Sequence, residues 1–142
     1  MAAILSDRSK RITVDIQWSR RNDVGPWMSF QVPVYSDGGW PLFIKGGYSS
    51  IVDKIQFSLI HQVYGRIYGL CIGGSHKNSD GTRVESPHKH RWTASDPSWA
   101  YVPEDITATD PAEAWQQFCA EAGIVHKGRL EHHHSIIQVE LL

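Results

Sequence analysis

The sequence is poor in cysteine and has no long apolar run, and each shortage removes a class of protein. Its two cysteines, Cys71 and Cys119, are too few for a disulfide-stabilised scaffold. No apolar run approaches the ~18 residues that a membrane-spanning helix requires. The apolar stretch at residues 2–5 is shorter than the apolar core of a signal peptide. We therefore expect a cytoplasmic protein that does not associate with membranes.

The chain also lacks an excess of either charge and lacks the common catalytic motifs. Its 14 basic and 15 acidic side chains give a formal net charge of −1. A global attraction to nucleic acid is therefore absent, and any such attraction must be local. There is no phosphate-binding loop, dinucleotide glycine fingerprint, Cys-x-x-Cys pair or His-Glu-x-x-His helix. The candidate chemistry must come from a less familiar arrangement of side chains.

The length and the hydrophobic fraction predict one globular domain. The 142 residues suffice for one core, and 41% hydrophobic and 20% charged residues are ordinary globular values. We expect a single domain over residues 1–142, with residues 1–10 flexible.

Most of the apolar pattern has a period of two, which indicates β-strands. Strands are predicted at residues 12–18, 28–34, 42–44, 55–62, 67–72, 87–92 and 137–141. Pro33 lacks an amide donor, so its strand should lie at an edge or be bulged there. Gly46-Gly47 is expected to end the short strand that precedes it. The mostly apolar run 67–72 is typical of a central strand.

One helix has clear start and stop signals. Asp110, Pro111 and Glu113 form a capping box with proline at the first helical position. Apolar side chains follow at helical spacing on one face, and Gly123 is expected to end the helix. Strands followed by one late helix predict an α+β fold, in which a twisted, mainly antiparallel sheet is covered by a helix in the C-terminal half.

The stretch from His76 to His90 is the most distinctive part of the sequence. In the run His88-Lys89-His90, the two histidines share one face of a strand, roughly 6–7 Å apart at ~3.3 Å rise per residue. We predict that residues 66–73 and 87–92 pair as antiparallel strands joined by a loop that contains Asp80-Gly81. That pairing would bring His76 close to His88.

Several chemistries are open to these histidines. His76, His88 and His90 could act as acid and base on a phosphodiester, with the phosphate bound by the nearby cations Lys77, Arg83 and Arg91. The same three histidines are also a plausible divalent-metal site, and no other cofactor is expected. A solvated strand face without a ligand is the remaining interpretation. Asn78, Asp80 and Gly81 have the residue types that shape turns.

Two tryptophans are candidates for partner binding. Trp27 and Trp40 lie beside proline or glycine at strand ends, where partial exposure is expected. Exposed aromatic side chains serve as anchors for protein partners or as stacking platforms for bases. Packing at the end of a hairpin is the alternative.

The order of these features resembles a family of small bacterial and phage-associated proteins of unknown function. The features are His76-x-Asn78-x-Asp80-Gly81, then Pro87-His88-x-His90, then a helix with a Trp-x-x-Phe core, and the resemblance covers residues 52–125. Ser79 stands where the family has proline, and this chain has a further predicted strand after the helix. The resemblance implies that His76, His88 and His90 belong to one recurring pattern, and that mobile-element, toxin or anti-defence contexts apply.

Three functional hypotheses follow. The first is a toxin-like protein that binds or cleaves the phosphodiesters of a nucleic acid, most plausibly RNA. The second is a non-enzymatic inhibitor or partner of phage or anti-defence type, which binds a host or phage protein. The third is a domain that binds a divalent metal through its histidines.

Overall fold

A computed structural model describes residues 2–20, 27–49, 54–73, 76–84, 88–91, 99–101 and 111–131. Its two helices are α1 (Ala2–Ser6) and α2 (Pro111–Ala122). Its strands are β1 (Arg11–Ile12), β2 (Ser19–Arg20), β3 (Met28–Val34), β4 (Leu42–Ser49), β5 (Lys54–His61), β6 (Gly65–Ile72), β7 (His76–Lys77), β8 (Arg83–Val84), β9 (His88–Arg91), β10 (Trp99–Tyr101) and β11 (Val125–His126). The predicted strand 137–141 lies outside the described residues.

Seven of these strands form one sheet in the order β10-β9-β6-β5-β4-β3-β2. Every neighbouring pair in this sheet is antiparallel. Strands β3 to β6 are consecutive in the chain and adjacent in space, because short hairpin connections join antiparallel strands. The predicted α+β class, with a mainly antiparallel sheet and one helix in the C-terminal half, is confirmed.

The two faces of the sheet differ because side chains alternate along each strand. Phe30 and Phe57 lie on the face that α2 covers, where Phe57 meets Trp115 and Phe118 at ring separations of 5.2 and 5.7 Å. Burying an apolar side chain of this size stabilises the fold by about 1.5–3 kcal/mol. The other face, which we call the open face, carries exposed or half-buried side chains. Its residues include Ser29, Gln31, Phe43, Lys45, Gly47, Lys54, Gln56, Ser58, Ile60, Arg66 and Cys71.

The helix begins and ends where the sequence indicates. Pro111 is its first residue, and its buried side chains include Trp115 and Phe118. Gly123, the residue after the helix, has a φ of +70°, a conformation that favours glycine at a helix end. No helix in the described part of the chain is long and apolar enough to cross a membrane.

The predicted strand at residues 12–18 is wrong for most of its length. Only β1 and an isolated bridge at Ile16 are formed, and both pair in parallel with the segment after α2. Backbone hydrogen bonds such as Ile16 N to Arg129 O at 2.8 Å satisfy this segment outside the large sheet. Ile16 and Trp18 are still buried, whereas Val14 is 48% exposed. The period of two therefore predicts the burial of Ile16 and Trp18 but neither the exposure of Val14 nor the absence of most of this segment from the sheet.

Strand β4 runs through Gly46 and Gly47 to Ser49, so the expectation that the glycine pair ends this strand is wrong. A Cβ on Gly46 would overlap the ring of Phe30, which lies across the strand on the covered face. Glycine in a strand interior often marks such a close approach. Pro33 behaves as predicted, because β2 pairs only with Met28 and Ser29 and leaves that side of β3 unpaired at Pro33 in the described structure.

Residues 2–10, for which flexibility is expected, contain α1, and Ile4 and Lys10 are buried. The Lys10 ammonium donates hydrogen bonds to the carbonyl oxygens of Ile4, Leu5 and Asp7 at 2.6, 3.0 and 2.7 Å. Carbonyl groups at the end of a helix have no partner within the helix, and this lysine supplies one. Burial lowers the pKa of Lys10, and the nearby Asp7 carboxylate opposes that shift.

Candidate nucleic-acid interface

Strand β9 places its two histidine positions on the open face. Lys89 is only 1% exposed, and its Nζ lies 3.2 Å from Glu121 Oε1 on α2, so it belongs to the covered face. Positions 88 and 90 alternate with Lys89 and therefore belong to the open face. The predicted antiparallel pairing of 66–73 with 87–92 is confirmed for residues 68–71 and 88–91, with Cys71 opposite His88 and Gly69 opposite His90.

The connection between β6 and β9 is more than the polar loop that the sequence predicts, because it contains the β7–β8 hairpin. His76 pairs with Val84, and Lys77 pairs with Arg83. The turn residues act as expected, since Thr82 N donates to Asp80 Oδ1 at 2.9 Å and Gly81 has a φ of +89°. These two residues shape the turn, as the sequence indicates.

Asn78 has a role beyond the turn. Its Nδ2 donates to the carbonyl oxygen of Ala100 at 2.9 Å, and the Ala100 amide donates to its Oδ1 at 2.7 Å. Asn78 is 3% exposed and Ala100 is 1% exposed, so both bonds are buried. Ala100 belongs to β10, the last strand at this end of the large sheet. The carboxamide takes the place of a neighbouring strand and protects part of an edge that would otherwise have unpaired backbone groups.

The charges of the large sheet are strongly unbalanced. Its seven strands carry six basic side chains and no aspartate or glutamate: Arg20, Lys45, Lys54, Arg66, Lys89 and Arg91. Lys45, Lys54 and Arg66 lie on the open face. None of the three forms an ion pair with a carboxylate in the part of the chain that the structure describes. The sheet is therefore locally basic although the whole chain is nearly neutral.

Two of these cations act on Cys71, which lies opposite His88 in the register. Burial raises the pKa of the Cys71 thiol, and the positive charges of Arg66 and Lys54 act in the opposite direction. Burial lowers the pKa of Arg66. Half-desolvated cations attract a phosphate more strongly than fully hydrated ones. Arg66 on β6 and Lys54 on β5 lie nearer to the histidine strand β9 than Lys45 on β4 does. The open face is therefore more cationic on the side of the histidines.

A groove of about 590 Å³ lies on the open face across β3, β4 and β5. Its floor includes Gly47, and its sides include Gln31, Lys45, Gln56 and Ser58. The Trp27 indole lies at one end, with Cζ3 only 3.6 Å from where a Cβ on Gly47 would stand. Within the described structure, the amides of Gln31 and Gln56 have no hydrogen-bond partner. The groove therefore offers free polar groups beside an aromatic ring.

The other predicted site residues lie elsewhere. Lys77 and Arg83 belong to the β7–β8 hairpin, and Arg91 shares the face of Lys89 by alternation. The side chains of His76, His88 and His90 lie outside what the structure describes, so their catalytic and metal-binding roles stay predictions. No group of three or more His, Cys, Asp or Glu residues that could hold a metal occurs in the described part.

The two tryptophans differ in their surroundings. Trp27 is half-buried and lines the groove, as a stacking platform requires. Trp40 is also half-buried, but it packs against the core and its Nε1 donates to Asp7 Oδ2 at 3.1 Å. Its polar edge is therefore already engaged within the protein.

Sequence reasoning missed Lys45, Lys54, Arg66 and the two groove glutamines. One signal was present, because Asp53 is the only acidic residue between Asp37 and Asp80 in the sequence. The balanced total charge concealed this segregation. Alternation within the strands would then have separated the cations of the open face from buried Lys89.

Comparison with known families gives a match over more than half of the chain. A family model described as a family of unknown function (DUF6978) matches residues 42–124, from the start of β4 to just beyond α2. The expected resemblance to a family of unknown function is confirmed at this level, while the origin and the motif proposed for that family stay predictions. No curated protein and no solved structure matches the chain.

Proposed function

The chain belongs to DUF6978, a family of unknown function, and we propose that it binds single-stranded RNA across the open face of its sheet. The observation that carries this proposal is a sheet with six basic and no acidic side chains, in a protein whose formal net charge is −1. Phosphate contacts supply most of the affinity of non-specific nucleic-acid binding. Three of the cations, Lys45, Lys54 and Arg66, share the exposed side of the sheet.

Aromatic side chains on the open face favour a single strand over a duplex. Trp27 borders the groove, and half-buried Phe43 lies on the same face of β4, flanked by Pro33 and Ile60 in the register. Unpaired bases stack on aromatic rings, whereas paired bases in a duplex are not accessible in this way. Each stacked base contributes about 1–3 kcal/mol. Cations that hold the backbone, together with rings that hold bases, are the components of a single-strand interface.

The histidine positions suggest that RNA bound at the far end of this face is also cleaved. His88 and His90 share the open face beside Cys71, where Lys54 and Arg66 concentrate positive charge. One imidazole would accept the proton of a ribose 2′-hydroxyl as its oxygen attacks phosphorus. The other would donate a proton to the departing 5′-oxygen, leaving a 2′,3′-cyclic phosphate and a 5′-hydroxyl. The cations would stabilise the charge on the phosphoryl oxygens.

The test of binding is fluorescence anisotropy with labelled single-stranded RNA, single-stranded DNA and duplex RNA. Replacing the three open-face cations, as Lys45→Gln/Lys54→Gln/Arg66→Gln, should weaken RNA binding by at least about tenfold, because each lost phosphate contact removes counterion release. The matched control is Arg8→Gln/Lys127→Gln/Arg129→Gln, which removes three exposed cations outside the open face. Equal loss in both triple variants, or no RNA binding by the wild type at low salt, contradicts the proposal.

The test of cleavage uses the same RNA and separates chemistry from binding. His88→Ala/His90→Ala should abolish formation of the cyclic phosphate while the anisotropy signal of binding persists. If the wild type binds RNA but cleaves none of a panel of mixed sequences, the catalytic part of the proposal is wrong and the binding part stands.

A further inference from the structure

We infer that the groove over Gly47 is a pocket for a single purine base of the bound strand. The inference rests on the proposed RNA binding and adds a base preference to it. Three features of the groove carry the argument: an aromatic wall, two free glutamine amides, and a glycine that the protein core does not require.

The register fixes the layout of the groove. Gln31, Lys45 and Ser58 are direct neighbours across β3, β4 and β5, and Ser29, Gly47 and Gln56 form the parallel row two residues away. Neighbouring strands are about 4.8 Å apart, and residues two apart on a strand are separated by about 6.6 Å. The two glutamines therefore face the space above Gly47 from opposite strands, on either side of a depression wide enough for one planar base.

The lining groups match the edge of a purine. A glutamine amide offers a donor and an acceptor, which pair with N6–H and N7 of adenine. A lysine beside it pairs with O6 and N7 of guanine. Both arrangements use N7, an acceptor that pyrimidines lack. Gln31, Gln56 and Lys45 therefore favour purines over pyrimidines as a class, while the Trp27 indole supplies a stacking surface at the end of the groove.

The glycine at position 47 supports the pocket independently of the side chains that line it. Its neighbour Gly46 is required for packing, since a Cβ there would overlap the Phe30 ring on the covered face. A Cβ on Gly47 would instead meet Trp27 at 3.6 Å, which is an ordinary contact, and its φ is not in the left-handed region. The fold would thus accept a larger residue at position 47, and glycine in a strand interior is intrinsically unfavourable. Gly47 has no side chain, and so it leaves the depression above it open.

The experiment compares short homopolymeric RNAs of A, U and C, and an alternating A-G sequence, by anisotropy on the full chain. We expect the wild type to bind the two purine-containing RNAs about tenfold more tightly than U or C, as expected for one bidentate base contact. Gln31→Leu/Gln56→Leu should remove that preference while affinity for U is retained. The matched control, Gln62→Leu/Gln116→Leu, changes two exposed glutamines outside the open face and should keep the preference.

A second variant tests the depression itself. Gly47→Val adds a β-branched side chain that suits a strand but fills the space above position 47. The ratio of affinities for purine and pyrimidine RNAs should fall from about tenfold to about twofold or less, because the single base contact that produces the ratio is lost. Should this variant not fold in thermal unfolding, the glutamine variant decides.

The outcomes separate this inference from the proposal on which it rests. Equal affinity of the wild type for all the RNAs overturns the purine pocket and leaves RNA binding intact. Purine preference should not survive in both the Gln31→Leu/Gln56→Leu and the Gly47→Val variants. If it does, the purine base is recognised at another site, and the purine pocket is overturned. No binding to any RNA contradicts the proposed function, and the purine pocket is rejected with it.

Discussion

The ammonium of Lys89 lies 3.2 Å from the carboxylate of Glu121, and this pair joins β9 to helix α2. Lys89 is 1% exposed, while the Glu121 side chain is 42% exposed. A buried charge is tolerated only when it is paired, so the contact holds Lys89 on the covered face. The same contact fixes positions 88 and 90 on the open face. An ion pair between a buried lysine and a partly exposed glutamate thus accompanies the placement of the histidine positions on the open face.

Removing the Glu121 charge should therefore destabilise the protein. Glu121→Gln should lower the free energy of unfolding by about 1–3 kcal/mol, less than the 3–5 kcal/mol of a fully buried pair, because Glu121 is partly exposed. Adding Lys89→Met to it should recover most of the loss, because methionine fills the space without a charge. Urea unfolding of the two variants measures both effects. A Glu121→Gln variant as stable as the wild type would show that Lys89 does not depend on this partner.

Asn78 gives the second prediction, which concerns the edge of the sheet. Asn78→Ala removes both hydrogen bonds to the Ala100 backbone and leaves a buried amide and a buried carbonyl without a partner. The expected loss is about 2–6 kcal/mol of unfolding free energy, at about 1–3 kcal/mol for each of the two unsatisfied groups. Asn78→Asp keeps the acceptor for the Ala100 amide but loses the donor. It should therefore be nearly as destabilising, because a carboxylate would face a carbonyl oxygen.

Equal stability of Asn78→Ala and the wild type in urea would show that the hairpin does not hold β10. The exposed turn residue Thr82 provides the control, since Thr82→Ala keeps the Thr82 backbone amide and its bond to Asp80. That variant should stay within about 0.5 kcal/mol of the wild type, as most surface substitutions do.

The alkylation rates of the two cysteines can show on which face of the sheet a ligand binds, because the two thiols differ in reactivity and location. Burial raises the pKa of the Cys71 thiol, and it raises the pKa of Cys119 to about 12. The thiolate is the reactive form, so alkylation of Cys71 should be slower than that of a fully exposed cysteine at the same pH, and it should accelerate as the pH rises. Cys119 should react still more slowly at each pH, because its pKa is higher and its side chain lies on the buried side of α2. Peptide mass spectrometry after iodoacetamide treatment measures the two rates separately.

Bound RNA should protect Cys71, since this thiol lies on the open face opposite His88. The rate at Cys119 should not change, because α2 packs on the other side of the sheet. Unchanged alkylation of Cys71 at an RNA concentration that saturates the anisotropy signal would show that the RNA occupies a different surface.

The sequence predicted those helix ends and strands that are determined by residues close together in the chain. The helix start at Pro111, the helix end at Gly123 and the alternation in β3 each depend on residues within one segment, and all three are confirmed. The pairing of β6 with β9 was also predictable, because β6 has a mostly apolar run, a glycine pair follows it in the sequence and a proline precedes β9.

The features that depended on distant contacts were not predictable. Gly46 appeared to end a strand because the sequence does not show that Phe30 lies above it. The segment around Ile16 appeared to be a sheet strand because alternation does not reveal a parallel partner near Leu130. The basic open face was missed for the same reason: Lys45 and Arg66 are 21 positions apart in the chain and share a surface only in the folded sheet.

The salt dependence of RNA binding tests the central claim most directly. For a single strand, the slope of log affinity against log salt is about −0.7 for each phosphate that is neutralised. Titrations between about 50 and 200 mM salt should therefore give Lys45→Gln/Lys54→Gln/Arg66→Gln a slope about 2 units shallower than that of the wild type. The Arg8→Gln/Lys127→Gln/Arg129→Gln control should keep the wild-type slope. Identical slopes for the wild type and the open-face variant would contradict the account, because the RNA backbone would then not contact the open face.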